Sequence, residues 1–495
     1  MPKHLIEKLT PNYNHLKYWT VFGILSSVSF FVRFPFFFRD YIDRDESTFI
    51  LMGQSWVDGN LPYTELWDLK PPITYLFFAI IISIFGKSFI AIRLAGVLIV
   101  AITAFYSYKI TEILSTKKVA LWVAIIAVLL QSTIGSLQGV MSEHVCMVFF
   151  MPALYLLIKK RKWYWVFLAG LLMGLAVMTK LNMAYSVLIL GLFLLYYHIK
   201  NKRYSNAVLS TIAYGIGILM IIFLTFLPFY LQGDGEIWWN SIVLASLEYT
   251  GIGRSPFTSF VPITLLIGSY FYFAWKKQFL DFKEITIQIL TITLLSILFS
   301  FIKGGRINGH YLIQLHPIFV IFIGILVSKI SYLRTLNYRP YIFFILILLP
   351  AEAYLEYFRI AKHKIEKGSF FNGEGISVPE YIKENNISTE NILFLGYHIG
   401  YWSLDAKPPT KSSTHPSNIC RNELFPFYEN PRITALEEMA YIMEEIQPST
   451  VVIRKNRPVF DPILVDENKY INTYLAKHYE LFQTIEKAEI YTLKR

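Results

Sequence analysis

The sequence predicts an all-α polytopic membrane domain followed by a small extracytoplasmic α/β domain. Of the 495 residues, 54% are hydrophobic and 16% are charged, whereas a soluble domain carries about 25% charged residues. The mean hydropathy is +0.44. After Phe358 the charged residues become more frequent and the apolar runs shorten. The first two observations predict the membrane part, and the third predicts a separate region beyond it.

Eleven apolar runs have about the 20 residues that a membrane helix needs. They are Tyr18–Phe38, Phe89–Ile110, Val119–Leu137, Val140–Ile158, Trp163–Thr179, Leu181–Tyr197, Ala207–Leu231, Phe257–Trp275, Ile285–Ile302, Tyr311–Val327 and Tyr338–Leu355. A further run, Pro71–Gly86, would rise only about 24 Å as a helix, less than the ~30 Å hydrocarbon core. We therefore expect it to lie in the outer interface, without crossing.

The basic residues support this topology. If Pro71–Gly86 does not cross, the dense basic loops, such as Lys159–Lys162 and Lys200–Arg203, fall on the same side as the N-terminus. The positive-inside rule then predicts a multi-pass protein of the inner membrane with a cytoplasmic N-terminus and an extracytoplasmic C-terminus. The net charge of +11 is interpreted as this topology signal, and no nucleic-acid partner is expected. The predicted domains are residues 1–357 and 358–495.

The tail alternates helix and strand patterns, which predicts an α/β fold. ISVPEYIKENN begins with a capping-box pattern of Ser377 and Glu380, and ITALEEMAYIMEEI has the pattern of an amphipathic helix. NILFLGY and STVVIRK predict short buried strands. The Pro- and Ser-rich segment Ala406–Pro416 is interpreted as a connecting loop.

Charged side chains gather at the predicted outer ends of the spans. They are Arg33, Asp40, Asp43, Asp45, Glu46, Asp68, Lys70, Arg93, Glu143, Lys180, Arg254, Lys303, Arg306 and His310. Ionisable residues at membrane segments commonly mark function, and this depth suits a substrate with a lipid tail and a reacting head. A solvated helix end explains Asp40 and Asp43 equally well, and Lys70 and Lys180 have the alternative of snorkelling to headgroups.

The sequence supports no cofactor or metal site. Cys146 and Cys420 are too few for a thiolate centre, and His310 and His316 lack ligand spacing with other His or Cys residues. A divalent metal therefore has no support in the sequence.

Four segments carry a family resemblance. They are RDESTFILMGQSWVDGNLPYTELWDLKPPITYLFFAIIISIFGKSFIAIRL, MSEHVCMVFFMPALYLL, AGLLMGLAVMTK and GHYLIQLHPIF, in that order. They cover most of Asp40 to Pro317. The chain resembles bacterial polyprenyl-phosphate-dependent glycosyltransferases of the GT-C type, the family of the protein O-mannosyltransferase-like and 4-amino-arabinose lipid A transferase-like enzymes.

The resemblance implies a role for several residues. Asp45 corresponds to the acidic residue thought to act on the acceptor, with Glu46 as its neighbour. Lys70, in the Lys-Pro element, would lie close to the donor phosphate. Glu143 takes a position that is often Asp in the lipid A enzymes, and Leu69 replaces the carboxylate of a structural zinc site described there.

These assignments imply an inverting transfer of a sugar from a polyprenyl-phosphate donor to a lipid, glycan or protein acceptor. One carboxylate would act as the base, and a cation would stabilise the departing phosphate. The candidates for the phosphate-binding role, in order, are Lys70, Arg306, Lys180, Arg93 and Arg33. Asp68, Glu143 and His310 are candidates for the acceptor side or for supporting contacts.

Two other functions remain open at this point. An oligosaccharide ligase or polymerase acting on a polyprenyl-pyrophosphate carrier would share the topology and the outer-face chemistry. A secondary transporter would place charges near the midplane and use broken helices in both halves, and the sequence shows little of either.

Overall fold

The computed structural model describes residues 13–39, 44–133, 139–160, 162–251, 254–306, 308–330, 348 and 350–494. Helices dominate these ranges, and a four-stranded sheet lies near the C-terminus. The α-helices are α1 (Tyr18–Arg33), α2 (Arg44–Val57), α3 (Pro72–Phe85), α4 (Phe89–Leu114), α5 (Lys117–Thr133), α6 (Ser142–Lys159), α7 (Trp163–Val177), α8 (Met183–Lys200), α9 (Tyr204–Gln232), α10 (Gly235–Trp239), α11 (Ala245–Tyr249), α12 (Val261–Lys276), α13 (Ile285–Gly304), α14 (His316–Lys329), α15 (Ala351–Lys367), α16 (Glu374–Glu384), α17 (Gly400–Leu404), α18 (Ala435–Ala440) and α19 (Val465–His478).

Seven helical segments of the described chain are long and apolar enough to cross a membrane. They are Tyr18–Phe38, Phe89–Leu114, Ser142–Lys159, Met183–Lys200, Tyr204–Gln232, Phe257–Lys276 and Ile285–Gly304. Helices α3, α7 and α14 are shorter apolar helices. Most of the predicted last span, Tyr338–Leu355, lies outside the described residues. The chain is a multi-pass membrane protein, and the number of eleven crossings stays a prediction.

The internal contacts divide the chain into two compact units. Unit 1 comprises Met1–Phe34, Arg93–Ile222 and Arg254–Leu355, and is built mainly from long apolar helices. Within it, α7 and α9 approach so closely that a Cβ atom on Gly170 would lie 2.4 Å from the backbone oxygen of Tyr214. Glycine permits this backbone contact, which is a common way for membrane helices to pack.

Unit 2 comprises Pro35–Ile92, Phe223–Gly253 and Glu356–Arg495. Its three segments interlock. Trp67 donates from Nε1 to Ser241 Oγ over 3.0 Å and lies with its ring 4.4 Å from that of Tyr428. Trp402 donates from Nε1 to Gln54 Oε1 over 2.9 Å. The predicted domain boundary falls within α15, and the division at 357/358 stays a prediction.

The C-terminal part of unit 2 has a sheet of order β1-β2-β4-β3. The strands are β1 (Leu393–Phe394), β2 (Thr450–Arg454), β3 (Tyr479–Ile485) and β4 (Ala488–Leu493). β1 and β2 are parallel, and β2–β4 and β3–β4 are antiparallel. β1 and β2 lie in the two predicted strand segments, whereas the β3–β4 hairpin has no counterpart in the prediction.

The predicted capping box of the first tail helix is wrong. Helix α16 begins at Glu374, after Gly373 with φ 109°. Ser377 therefore lies inside the helix, where its Oγ donates to the Gly373 carbonyl over 3.0 Å. A glycine with positive φ sets the helix start four residues earlier than the Ser-x-x-Glu pattern indicates.

Candidate active site

Asp45 and Glu46 occupy the first turn of α2. A helix N-terminus carries partial positive charge and favours carboxylates there. The two side chains differ in accessibility: Glu46 is 1% exposed, whereas the Asp45 side chain is 29% exposed. Asp45 is therefore the carboxylate of this turn that a substrate can reach. Asp40 and Asp43 lie outside the described residues.

Lys70 is the cation beside Asp45. Its Nζ lies 3.7 Å from Asp45 Oδ2 and 5.8 Å from the centre of the Phe49 ring. The Lys70 side chain is 19% exposed, so the pair is partly screened from water yet open to a ligand. In such a place a fixed cation interacts with a developing charge more strongly than in bulk water.

Two tyrosines and Asp68 hold the backbone of Lys70. Tyr63 donates from its hydroxyl to the Lys70 carbonyl over 2.6 Å, and the Lys70 amide donates to the Tyr75 hydroxyl over 3.1 Å. Tyr75 in turn donates to Asp68 Oδ2 over 3.0 Å. Pro71 and Pro72 follow, and Pro72 is the first residue of α3, a position that proline favours. Asp68 thus acts in the structure as a buried acceptor that supports Lys70.

Two histidines from the C-terminal part of unit 2 lie at the start of α2. His398 Nε2 is 3.0 Å from Thr48 Oγ1 and 3.1 Å from the Arg44 carbonyl. His415 Nε2 is 3.8 Å from Asp45 Oδ1, and the two imidazole rings are 5.5 Å apart. Neither histidine is a candidate on sequence evidence. The only sequence feature that draws attention to His415 is its place in the Pro- and Ser-rich segment Ala406–Pro416, and no local spacing connects it to Asp45.

Both histidines are buried, and burial disfavours the imidazolium form. Burial, reinforced by the charge of Arg44, lowers the pKa of His398 to about 3. Burial and then the neighbouring His398 lower the pKa of His415 well below its usual value, although Asp45 opposes this shift. Both rings are therefore neutral at pH 7.

In unit 1, a second cluster surrounds Glu143 in the first turn of α6. Its side chain is fully buried, and Lys180 donates to Glu143 Oε1 from a side chain that is 9% exposed. His310 Nε2 lies 3.8 Å from the same oxygen, and Lys180 Nζ lies 4.4 Å from the centre of the Tyr311 ring. The structure thus brings three predicted residues together, with the lysine charge matched by the carboxylate.

The remaining predicted cations of unit 1 have different environments. Arg33 and Arg93 are each 1% exposed, and Arg33 Nη2 donates to the Gly139 carbonyl over 2.8 Å. Their burial leaves almost no surface for a phosphate. Arg306 is half-buried and follows Gly305, which has φ 66° and ends α13.

Within the described ranges, no three His, Cys, Asp or Glu side chains come together as a metal site would require. The predicted residues that the structure brings together are Asp45 and Lys70 in unit 2, and Glu143, Lys180 and His310 in unit 1.

The sequence of residues 69–230 matches the family described as dolichyl-phosphate-mannose-protein mannosyltransferase. This segment contains Lys70, Glu143 and Lys180. No curated protein sequence matches the chain.

The fold is similar to that of a solved structure, ArnT from Cupriavidus metallidurans bound to undecaprenyl phosphate. The identity is 13% and the TM-score 0.59, with 96% of this chain and 97% of that chain covered. The apo oligosaccharyltransferase from Archaeoglobus fulgidus gives 11% identity and a TM-score of 0.52, with 90% and 70% covered. The chain is a multi-pass membrane protein whose fold is similar to those of these two proteins. The predicted resemblance and the fold class are confirmed, and the same matches support the predicted enzyme class.

Proposed function

We propose that this protein is a GT-C glycosyltransferase that transfers a sugar from a polyprenyl-phosphate donor to a lipid, glycan or protein acceptor at the extracytoplasmic face of the inner membrane. The observation that carries the proposal is the accessible Asp45 carboxylate 3.7 Å from Lys70 Nζ, at the N-terminus of a helix. The ArnT structure with undecaprenyl phosphate supports a donor of this class, as does the mannosyltransferase family match.

The reaction follows from the chemistry of the pair. The acceptor hydroxyl loses its proton to Asp45 while its oxygen bonds to the anomeric carbon. The bond between that carbon and the phosphate oxygen breaks, and the polyprenyl phosphate leaves with the electron pair. Lys70 stabilises the charge that develops on the phosphate. A single displacement of this kind inverts the anomeric centre, unlike the double displacement of retaining glycosidases.

The unit 1 residues enter the proposal with their own roles. Lys180 and Arg306 stay candidates for the donor phosphate as alternatives to Lys70; Arg306 is half-buried and Lys180 is buried beside Glu143. Glu143 orients Lys180, and His310 supports Glu143. Arg33 and Arg93 rank below them, because their side chains are almost completely buried.

The test uses membrane vesicles from a strain that lacks the gene, complemented with the full chain and supplied with undecaprenyl phosphate carrying mannose or 4-amino-arabinose. Mass spectrometry of lipids, glycans and proteins identifies any sugar transferred. We expect Asp45→Asn to lower the initial rate about 10²–10⁴-fold, the range of general-base catalysis, and Lys70→Met to lower it about 100-fold.

The controls are Asp58→Asn and Lys362→Met. Asp58 follows α2 and accepts a hydrogen bond from Gln54, and Lys362 belongs to an exposed ion pair with Glu366. Both variants should keep the wild-type rate. Full transfer by Asp45→Asn would refute the base assignment.

The fold shared with an oligosaccharyltransferase keeps the oligosaccharide ligase as the second candidate. Under that function, mass spectrometry would find a whole oligosaccharide on the acceptor, and membranes supplied with monosaccharide donors would transfer nothing.

A further inference from the structure

The loop that carries His415 is held by hydrogen bonds to a buried carboxylate. Glu438 has a fully buried side chain. Its Oε1 accepts from Thr410 Oγ1 over 2.8 Å and from Ser412 Oγ over 2.5 Å, and its Oε2 accepts from Arg432 Nε over 2.6 Å. The segment Ala406–Pro416 is therefore anchored at Thr410 and Ser412, which is more than a connecting loop requires.

The proton positions on His415 follow from its contacts. The backbone amide of Ser417 donates to His415 Nδ1 over 3.1 Å. A neutral imidazole that accepts at Nδ1 carries its proton on Nε2. That Nε2–H lies on the side of Asp45 Oδ1, 3.8 Å away, while Asp45 Oδ2 lies 3.7 Å from Lys70 Nζ.

The tautomer also decides what His415 can do. Nε2 already holds a proton and Nδ1 already accepts one hydrogen bond, so the ring cannot take a further proton from Asp45 without losing the Ser417 contact. Its buried surroundings include the cationic groups of Arg44 and Arg421, which oppose a charged ring. His415 is thus suited to orient Asp45 and unsuited to relay its proton.

We propose that His415 is a positioning residue for Asp45, supplied by the C-terminal region and held there by the Glu438-anchored loop. The role rests on the proposed function. His415 Nε2 faces one carboxylate oxygen from 3.8 Å, beyond direct hydrogen-bond distance, while Lys70 Nζ faces the other from 3.7 Å. On substrate binding the Nε2–H closes to a hydrogen bond with Asp45 Oδ1 and, with Lys70, fixes the plane of the base. His398 packs against His415 and ties the same loop region to the first turn of α2 through Thr48 and the Arg44 carbonyl.

Two amide substitutions separate this role from a structural one. His415→Gln places a side-chain N–H near the Nε2 position and so keeps the donor for Asp45. His415→Asn places an acceptor near Nδ1 and so keeps the Ser417 contact, but it loses the donor. We expect His415→Asn to lower kcat about 10-fold or more, as loss of a hydrogen bond to a charged group does, with donor KM within about 2-fold. His415→Gln should stay within about 3-fold of wild type.

The pH–rate profile gives a readout that packing alone would not move. A donor to a carboxylate favours its ionised form, so the acid limb of kcat should shift to higher pH in His415→Asn and stay in place in His415→Gln. The cations around the pair, Lys70, Arg44 and Arg421, are the same in both variants. Thermal unfolding of the purified full chain checks that each variant is folded.

The assay is the vesicle assay with undecaprenyl phosphate carrying mannose or 4-amino-arabinose. Wild-type transfer together with an unchanged rate and acid limb in His415→Asn would overturn the role of His415 and leave the proposed function standing. Equal losses in both variants with an unshifted acid limb would also overturn it. Absence of transfer by the wild type from either donor would refute the proposed function, and the role that rests on it would fail with it.

Discussion

The Glu143–Lys180 pair allows a quantitative test of how unit 1 is held together. The Glu143 side chain is fully buried and that of Lys180 is 9% exposed. Removing one member of a buried ion pair leaves the other charge uncompensated and typically costs about 3–5 kcal/mol. We therefore expect Glu143→Gln and Lys180→Met each to lower the free energy of unfolding by about 3 kcal/mol or more.

The double variant should recover much of this loss. With both charges gone, no buried ion remains to be solvated, and an apolar replacement of such a pair is often close to neutral. The two changes should therefore couple by about 2 kcal/mol or more in a double-mutant cycle. The measurement is reversible unfolding of the purified protein in mixed micelles, followed by tryptophan fluorescence.

The exposed pair Lys362–Glu366 is the matched control. The side chains of Lys362 and Glu366 are 60% and 55% exposed, and Lys362 Nζ lies 3.7 Å from Glu366 Oε1. Such i,i+4 pairs contribute about 0.3–0.5 kcal/mol to the free energy of unfolding. The buried-pair interpretation would be wrong if the decreases in the free energy of unfolding for Glu143→Gln and Lys180→Met were strictly additive. It would also be wrong if each single decrease were as small as that of the control pair.

Three other predictions concern packing, pH and the anchored loop. Gly170→Val should destabilise the protein by about 1–3 kcal/mol or more in the same unfolding assay, because its Cβ would meet the Tyr214 carbonyl at 2.4 Å, whereas Gly215→Ala, with open space around it, should be nearly neutral. The pKa of His398 is lowered from 6.5 to about 3 in the folded state, so the unfolded state binds the proton first as the pH falls. The free energy of unfolding should therefore decrease by about 1.4 kcal/mol per pH unit below pH 6.5. In His398→Gln this decrease between pH 6.5 and 5 should be smaller. Glu438→Ala should loosen the loop and lower the transfer rate about 10-fold through misplacement of the base, and a rate equal to wild type in a variant with normal unfolding would contradict this.

The apolar helices could be predicted from the sequence because each corresponds to a local run of apolar residues. The run Pro71–Gly86 illustrates this: its 16 residues predict a helix too short to cross, and the structure has the 14-residue helix α3 there. The association of Asp45 with Lys70 could be expected from the family resemblance, and the structure brings the two within 3.7 Å.

The contacts of the C-terminal region could not be predicted, because they join residues far apart in the chain. Thr48 and His398 are separated by 350 positions, and a histidine in a Pro- and Ser-rich loop has no local pattern that identifies its partner. The start of α16 depends on one glycine conformation at Gly373, which the capping-box pattern does not encode. Arg93 and Arg33 already rank below Lys180 in the prediction, but only the packing shows that both are almost completely buried.

The three-segment composition of unit 2 has a consequence for synthesis. Thr48 in the first segment meets His398 only after 350 further residues have been added, which takes roughly 20–70 s at elongation rates of about 5–20 residues per second. During that time the turn with Asp45 has already left the ribosome but lacks its C-terminal contacts. A chain interrupted before His415 would carry every predicted catalytic and phosphate-binding residue and still lack the contact proposed to align them. Under the proposed roles, the turn with Asp45 therefore gains its contacts with His398 and His415 only late in synthesis.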